Sequence, residues 1–345
     1  MPPSVKRLVI QVIAGILYYS GLLRIRLLFR RIILRKREVC VLALHRVLSG
    51  EEANHANSLE GMVLKDVTFE SMLDFISRNF RVISVEDFLR GVELGRADLK
   101  PWCLLTFDDG WRDNYTNAYP LLRKFKFPAA VFLVTGMVGT EGGFWVEQLR
   151  NGWKNPPQQR HMTEIIAEIL PRNAGNKEIG LEGIVVFVKQ MSADARAKLL
   201  QQLLPPDRFL GPAPETDRMM TWSEAAEMSR NGMEMGAHTV SHPILTHEDA
   251  STITMEVRSS KKTLAENLDR AGRAFAYPNG DWNERVRAEV QQAGYLCAFT
   301  TRRNWYNYGA DLFTVPRIII HEKKITGYTG KFSPAIFSLT LARQS

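Results

Sequence analysis

The stretch LLTFDDGWRDNY, residues 104–115, places two adjacent carboxylates directly after an apolar run. WCLLTF (102–107) is almost continuously apolar, which is typical of a strand buried on both faces of a parallel sheet. Asp108 and Asp109 follow it, and Gly110 comes next. Because like charges at neighbouring positions repel and raise one pKa, the pair indicates a nearby cation or a role in proton transfer.

Working outward from this stretch, similar apolar runs alternate with helical patterns along the chain. The predicted strands are 39–44, 81–84, 102–107, 128–135, 233–237, 274–278, 296–301 and 312–320. The predicted helices are 67–80 with Thr68 as N-cap, 85–94, 116–125, 221–232 with a capping box at Thr221, 251–268 and 283–294. Repeated βα units predict an α/β fold, and about seven such strands fit a barrel better than a short open sheet.

The chain divides by composition into two parts, and the second part contains an insertion. Residues 1–38 form a basic amphipathic segment, and residues 39–345 form one α/β domain. Within this domain, residues 141–220 interrupt the βα alternation with polar, mostly helical sequence and two proline-rich joints. We interpret residues 141–220 as a helical insertion or lid.

The N-terminal segment carries most of the excess positive charge. The net charge is +8, and seven basic residues without an acidic one lie between Arg24 and Arg37. Leu8 to Leu23 is apolar, but it is shorter than the roughly 20 residues that a spanning helix needs. The pattern favours a membrane-associated segment, either spanning or lying on an anionic lipid surface, with residues 24–37 on the cytoplasmic side.

One other interpretation of this segment remains open, in which it is a helix packed on the protein's own core with a solvated basic face. A nucleic-acid partner is not expected, because no binding module accompanies the basic run. The three cysteines are widely spaced, which predicts buried free thiols rather than disulfides or a zinc site.

Polar clusters follow two further predicted strands. GAHTVSHP (236–243) carries His238 and His242 four residues apart, and YPNGDWN (277–283) follows the next strand. The carboxyl ends of parallel strands meet at one edge, so these clusters should lie beside the carboxylate pair. Two imidazoles and one carboxylate complete a three-ligand metal site with an open position, and the second carboxylate is then free to act as a base.

Together, these motifs resemble the polysaccharide deacetylase family, also called the NodB-homology domain or carbohydrate esterase family 4. TFDDG (106–110) and HTVSH (238–242) carry the resemblance, and LALHRV (42–47) with FAYPNG (275–280) is similar to a branch that opens with a YHRV-type motif. The resemblance covers residues 39–320. It implies a distorted (β/α) barrel, usually of seven strands, that hydrolyses an N-acyl group, mostly acetyl, from an amino sugar.

The resemblance also implies roles for individual residues. Asp109, His238 and His242 match the family's metal ligands, and the metal in most members is zinc. Asp108 matches the general base. The backbone N–H of Asn279, after Pro278, matches the donor that holds the oxyanion.

The sequence departs from the family pattern at two places. Ala276 stands where the commoner third motif has an arginine that orients the base, so Arg46 or Arg317 is a candidate to replace it. The family's late Leu-x-His motif, which carries the general acid, also has no clear match in this sequence. His45 and His321 are therefore the candidates for the general acid.

The candidate substrate-binding residues are Trp145, Glu147, Tyr277, Arg46 and Arg317. Trp145 either stacks on a sugar face or anchors the insertion to the barrel. His55, His161 and His247 fall in polar segments and are expected at the surface.

These observations predict a metal-dependent hydrolase, with zinc as the expected divalent ion. It would remove an N-acetyl group from an amino sugar of a bacterial surface glycan or its lipid-linked precursor. The expected location is the inner membrane, with the catalytic domain facing the cytoplasm. The alternatives are a related C–N hydrolase, such as a deformylase or a non-sugar amidase, and an inactive membrane-bound glycan-binding protein of the same fold.

Overall fold

The structure is a computed structural model of the 345-residue chain. It describes residues 3–23, 25, 38–59, 61–91, 100–141, 143–169, 180–204, 215–269 and 272–342. Most of the basic run 24–37 lies outside the described residues, so the predicted basic segment is not described as a unit.

The architecture is a distorted (β/α) barrel, as the sequence predicts. Its strands are β1 Glu38–Leu44, β2 Arg46–Leu48, β3 Val63–Lys65, β4 Arg81–Val82, β5 Trp102–Phe107, β6 Ala130–Leu133, β7 Glu234–Ala237, β8 Ala274–Ala276, β9 Cys297–Phe299, β10 Tyr306–Asn307 and β11 Ile318–Ile319. The main sheet runs β10-β1-β5-β6-β7-β8-β9, and β11 pairs in parallel with β1. A parallel bridge between Phe299 and Val315 brings the segment before β11 against β9, so seven strands surround the barrel interior.

Helices cover the outside of this sheet and fill the insertion. They are α1 Pro3–Tyr19, α2 Gly50–His55, α3 Asp66–Asn79, α4 Val85–Arg90, α5 Tyr119–Phe125, α6 Trp145–Trp153, α7 Pro156–Ile169, α8 Leu181–Lys189, α9 Ala193–Leu203, α10 Trp222–Arg230, α11 Ala250–Asn267, α12 Glu284–Gln292, α13 Glu322–Ile325 and α14 Pro334–Ala342. Among these described helices, none combines the length and the apolar character that crossing a membrane requires.

The apolar runs are continuous because both faces of each strand are buried. In β1, Val39 and Val41 point into the barrel interior, whereas Cys40, Leu42 and Leu44 pack against the outer helices. The same division holds along β5. Asp108 and Asp109 therefore emerge at the carboxyl edge of a rigid strand, where polar side chains can face a cleft rather than the core.

The insertion forms a small hydrophobic core of its own. Helices α6 to α9 pack around Leu149, Met162, Ile166, Val188 and Leu203. These helices lie within residues 141–220, for which the sequence predicts a helical insertion or lid. The three cysteines are buried free thiols, as the sequence predicts.

Three local predictions need correction. Lys65, not Thr68, is the N-cap of α3, because Thr68 is buried and donates its hydroxyl to Glu322 Oε1 at 2.9 Å. The predicted strand 312–320 reduces to β11, since only Ile318 and Ile319 pair with β1. The helix predicted at 116–125 begins with a π-helical turn, Asn114–Ala118.

Candidate active site

Neighbouring strands of the barrel bring the three polar clusters to one edge. The carboxylate pair follows β5, His238 follows β7, and the stretch from Tyr277 follows β8. Since β5, β6, β7 and β8 are consecutive neighbours in the sheet, their carboxyl ends lie side by side. Residues that are about 130 positions apart in the sequence therefore line the same cleft.

Asp109, His238 and His242 form a cluster that can hold a metal ion. Asp109 Oδ1 lies 3.7 Å from His238 Nε2 and 3.6 Å from His242 Nε2, and the three ligand atoms all lie within 4.8 Å of one another. Tetrahedral coordination with bonds of about 2.1 Å would require ligand atoms about 3.4 Å apart. Two imidazoles and a carboxylate are a donor set that suits a divalent metal ion, with positions left open for water or substrate.

The backbone of both ligand segments adopts unusual conformations to direct these side chains. Asp109 has φ 78° and His242 has φ 60°, in the left-handed region that L-residues rarely enter. The amide N–H of His242 donates to Thr239 Oγ1 at 2.9 Å, and Thr239 itself has φ 70°. Such strain persists only where the surrounding contacts hold it, and it is common at functional sites.

Two further contacts orient the ligands. His238 Nδ1 lies 2.7 Å from the carbonyl oxygen of Ala276 at the end of β8, so this nitrogen donates and Nε2 keeps its lone pair for the cleft. Trp111 Nε1 donates to Asp109 Oδ2 at 3.1 Å, which leaves Oδ1 facing the histidines. Hydrogen bonds of this kind fix the tautomer and the orientation of metal ligands.

Burial keeps both histidines neutral. It lowers the pKa of His238 to about 4, although the Asp108 charge opposes this shift. Burial, with the neighbouring His238, lowers the pKa of His242 to about 3. Neutral imidazoles are the form that binds a cation, so the site is suited to a metal at neutral pH.

Arg317 holds the second carboxylate. Its Nη1 and Nη2 donate to Asp108 Oδ1 and Oδ2 at 2.6 and 2.8 Å, and its Nε donates to the carbonyl oxygen of Thr300 at 3.0 Å. Burial alone would raise the pKa of Asp108, but Arg317, and then His238, hold it well below its usual range. Asp108 is therefore ionised and fixed in orientation, as a general base requires.

Arg46 has a different set of partners. It donates to Asp113 Oδ2 and Asp217 Oδ1, both at 2.9 Å, and also to the carbonyl oxygen of Thr216. Its guanidinium lies 4.1 Å from the centroid of the Trp111 ring. Of the two arginines that the sequence leaves open, Arg317 therefore orients Asp108, and Arg46 supports the loop that carries Asp109.

Neither arginine is placed to bind substrate, which corrects that expectation for both. Arg46 and Arg317 are fully buried, and protein groups occupy their donors. Tyr277 is also fully buried, and its hydroxyl donates to the carbonyl oxygen of Phe313 at 3.0 Å. These three side chains support the site from behind the cleft instead of contacting a ligand within it.

His45, one of the two candidate acids, lies beside Asp108, with its Nε2 3.9 Å from Asp108 Oδ2. Burial, and then the charges of Lys324 and His45, lower the pKa of the other candidate, His321, to about 4. The Nδ1 atoms of both are buried without a hydrogen-bond partner in the described structure. His45 is thus in direct reach of the base.

Asn279 lies in the turn that follows β8. It has φ 60° and is followed by Gly280 at φ 82°. A side chain at Gly280 would collide with Thr301. The Asn279 side chain turns away to Asp281 Oδ2 at 2.7 Å, so any role in the cleft falls to its peptide.

The two candidates in the insertion differ in their surroundings. Trp145 is half-buried against the core of the insertion, with the Arg196 guanidinium 5.8 Å from its ring centroid, which favours anchoring over sugar stacking. Glu147 is 4% exposed, and burial raises its pKa to about 8, with the Asp109 charge adding to the shift. The Glu147 carboxyl therefore belongs to the site's inner wall.

The sequence reasoning missed the ion network behind Trp111. Asp113 also accepts the Val47 amide N–H at 2.7 Å, and Asp217 accepts from Asn57 Nδ2 at 3.1 Å. Asp113 lies in the same WRDNY segment as Trp111, which is a usable signal, but the sequence around Asp217 gives none. His55 and His247 are exposed, as expected, and His161 is half-buried.

Comparisons with known proteins bear on the same residues. The sequence model described as polysaccharide deacetylase matches residues 96–298, more than half of the chain. The poly-beta-1,6-N-acetyl-D-glucosamine N-deacetylase of Staphylococcus aureus (strain MSSA476) is 22% identical over 300 residues, which cover 84% of this chain and 81% of that protein.

Solved structures of similar fold include the following two proteins. The Streptococcus pyogenes deacetylase PplD, in complex with acetate, superposes with a TM-score of 0.55 at 20% identity, covering 87% of this chain and 100% of that one. IcaB from Ammonifex degensii superposes with a TM-score of 0.55 at 19% identity, covering 88% and 97%. At these identities the superpositions establish a common fold.

Proposed function

We propose, because this chain belongs to the polysaccharide deacetylase family, that it hydrolyses the N-acetyl group of an amino sugar in a bacterial surface glycan or its lipid-linked precursor. One observation carries the proposal. The Asp109, His238 and His242 cluster stands beside an ionised Asp108 that Arg317 holds through two hydrogen bonds. A metal-binding triad with an adjacent fixed base can catalyse amide hydrolysis.

In the proposed reaction, water adds across the amide C–N bond and yields acetate and a free amine. A divalent ion, when bound, supplies Lewis-acid activation of water and of the amide carbonyl. Asp108 accepts the proton of the attacking water. His45, 3.9 Å from Asp108, is the better placed of the two candidate histidines to protonate the leaving amine. The Asn279 peptide N–H is the proposed donor to the developing oxyanion.

The names of the relatives support the substrate class. The S. aureus relative is named for poly-beta-1,6-N-acetyl-D-glucosamine, which makes an N-acetylglucosamine polymer the first substrate to test. The proposal also includes a lipid-linked form of this glycan as substrate. It rests on the basic N-terminal segment, since a protein held at a membrane meets lipid-linked glycans at high local concentration.

We place the site of action at the cytoplasmic face of the inner membrane. The seven basic residues between Arg24 and Arg37 support this side, because basic residues next to membrane segments are retained in the cytoplasm. A tag fused after Ser345 should then be protected from protease in intact cells. Digestion of the tag without cell lysis would contradict this location.

The decisive experiment compares wild-type protein with Asp108→Asn, measuring bound metal by mass spectrometry and acetate released from N-acetylglucosamine oligomers. We expect metal in both proteins and acetate only from the wild type. Metal in both without acetate from either would overturn the deacetylase proposal in favour of another acyl group or a glycan-binding role. Loss of metal in Asp108→Asn would instead contradict the assignment of Asp108 as base rather than ligand.

A further inference from the structure

The first helix, α1, has two faces of opposite character. One face contacts the body of the protein through residues spaced by four, three and four: Arg7, Gln11, Ala14 and Tyr18. The other face is exposed and apolar, and we call it the apolar stripe: Leu8, Val9, Val12, Ile13, Ile16 and Tyr19. An exposed aliphatic stripe of this length costs free energy in water and marks a surface that another phase or molecule covers.

The docked face fixes α1 to the domain through specific contacts. Arg7 Nη2 donates to Thr326 Oγ1 at 2.9 Å, and the Tyr328 amide N–H donates to Gln11 Oε1 at 2.6 Å. Ala14 is fully buried against α14, next to Ala335. Specific polar contacts and a small buried residue are typical of a helix that packs against a protein surface. These contacts hold α1 in one orientation.

The exposed stripe itself carries no charge, while the sequence around it is strongly basic. Residues 1–37 contain nine basic residues and no acidic one, whereas the rest of the chain holds 36 basic and 37 acidic residues. An aliphatic stripe bordered by positive charge complements an anionic lipid surface, where apolar burial and attraction to headgroups add. A second copy of the chain is a poor occupant, because pairing two stripes would bring together two segments that each carry nine positive charges.

We propose that α1 is an interfacial membrane helix, docked on the flank of the barrel, which lays this flank on an anionic lipid surface. The docking contacts at Thr326 and Tyr328 lie in the segment that follows His321 in the chain. The inference is independent of the reaction, and it decides between the two membrane arrangements that the sequence leaves open.

The test measures binding of the full chain to vesicles by flotation. Vesicles of phosphatidylcholine with phosphatidylglycerol are compared with phosphatidylcholine alone, at low and high salt. The stripe variant Val12→Ser/Ile16→Ser removes two side chains that are 53% and 63% exposed. Its matched control, Val186→Ser/Met255→Ser, changes two helical residues on α8 and α11 that are 61% and 48% exposed.

We expect the wild type and the control to bind the anionic vesicles, and the stripe variant to bind at least about tenfold more weakly. High salt should weaken wild-type binding, because the anionic headgroups attract the basic segment. Equal binding by the stripe variant and the wild type, or no wild-type binding, would overturn the proposal. A dimer that the stripe substitutions dissociate would identify a second copy as the occupant and also overturn it.

Hydrogen exchange distinguishes a docked helix from one that leaves the body to enter the bilayer. Protection of α14 and of residues 326–330 should be unchanged when the protein binds vesicles. Loss of that protection would contradict docking. The stripe variant should release acetate from soluble oligomers at the wild-type rate, so failure of the lipid proposal can be told apart from failure of the proposed reaction.

Discussion

Arg317 is the residue whose contacts define the base. Its guanidinium matches the Asp108 carboxylate with two parallel hydrogen bonds, a geometry that an ammonium group cannot reproduce. Ala276, in β8, has no side chain that could make these contacts, and Asp108 is held instead by a residue just before β11.

Replacing Arg317 by lysine should lower kcat by roughly 10²-fold, because a base displaced by about an ångström loses its alignment with the attacking water. KM should change little and bound metal should stay at the wild-type level. Steady-state kinetics with metal analysis tests this, and Arg273→Lys, in a peripheral pair with Glu234, is the matched control. An unchanged kcat in Arg317→Lys would remove Arg317 from the positioning of the base.

Trp111→Phe should weaken metal binding about tenfold, because the Nε1 hydrogen bond that orients Asp109 is lost while a smaller aromatic ring remains in its place. Competition with a chelator measures the dissociation constant. Trp282→Phe, at a partly exposed tryptophan, serves as control. Wild-type affinity in Trp111→Phe would mean that the Asp109 carboxylate is oriented by the backbone alone.

The buried carboxyl of Glu147 should make stability depend on pH. Burial raises its pKa from 4.5 to about 8, so the folded protein binds the proton more tightly than the unfolded chain. The resulting stability is present below pH 4.5 and is lost as the pH rises toward 8, with a slope of at most about 1.4 kcal/mol per pH unit. Glu147→Gln should remove this contribution.

Chemical denaturation between pH 5 and about 8, in the presence of a chelator, measures this slope. The exposed Glu164→Gln should leave it unchanged. If the wild type and Glu147→Gln lost stability in parallel as the pH rises, the Glu147 carboxyl would not be the protonated group.

At the scale of elements, capping and strand geometry account for where the site lies. The Thr221 hydroxyl accepts from the Glu224 amide at 3.3 Å, and the Glu224 carboxylate accepts from the Thr221 amide at 2.8 Å. This capping box starts α10, which returns the chain from the insertion to β7 and hence to the metal-binding histidines. Local sequence thus fixes where the insertion ends.

Thr221→Ala should destabilise the protein by about 1 kcal/mol, since it removes one half of the capping box. Thermal or urea unfolding measures the change. Thr263→Ala, inside α11 and away from its N-terminus, is expected to be neutral or slightly stabilising. If Thr263→Ala lost as much stability as Thr221→Ala, the Thr221 hydroxyl would not stabilise the protein through capping.

For the whole molecule, the barrel should fold without its metal. The apolar side chains of the strands and helices pack into clusters on both sides of the sheet, and we expect this packing to hold the fold without a bound ion. Chelation should therefore abolish acetate release while leaving the far-ultraviolet circular dichroism unchanged. Metal at 100-fold above its dissociation constant should add about 2.7 kcal/mol to the free energy of unfolding. Global unfolding on chelation would contradict a preformed site.

The sequence by itself predicted the α/β architecture and singled out the residues that we propose as metal ligands. Burial on both faces makes parallel strands readable as apolar runs, and β1 and β5 lie where those runs predict them. The pattern TFDDG with HTVSH was sufficient to name the family and to single out Asp109, His238 and His242. Such signals are local, because each depends on residues within a few positions of one another.

Only the tertiary structure decided which arginine holds the base, which side chains lie behind the cleft and how α1 sits. Arg317 reaches Asp108, Arg46 reaches Asp217, and Tyr277 points away from the cleft. These contacts join residues between 36 and 209 positions apart in the sequence. They depend on the order of the strands around the barrel. The spacing of residues along the chain does not reveal that order.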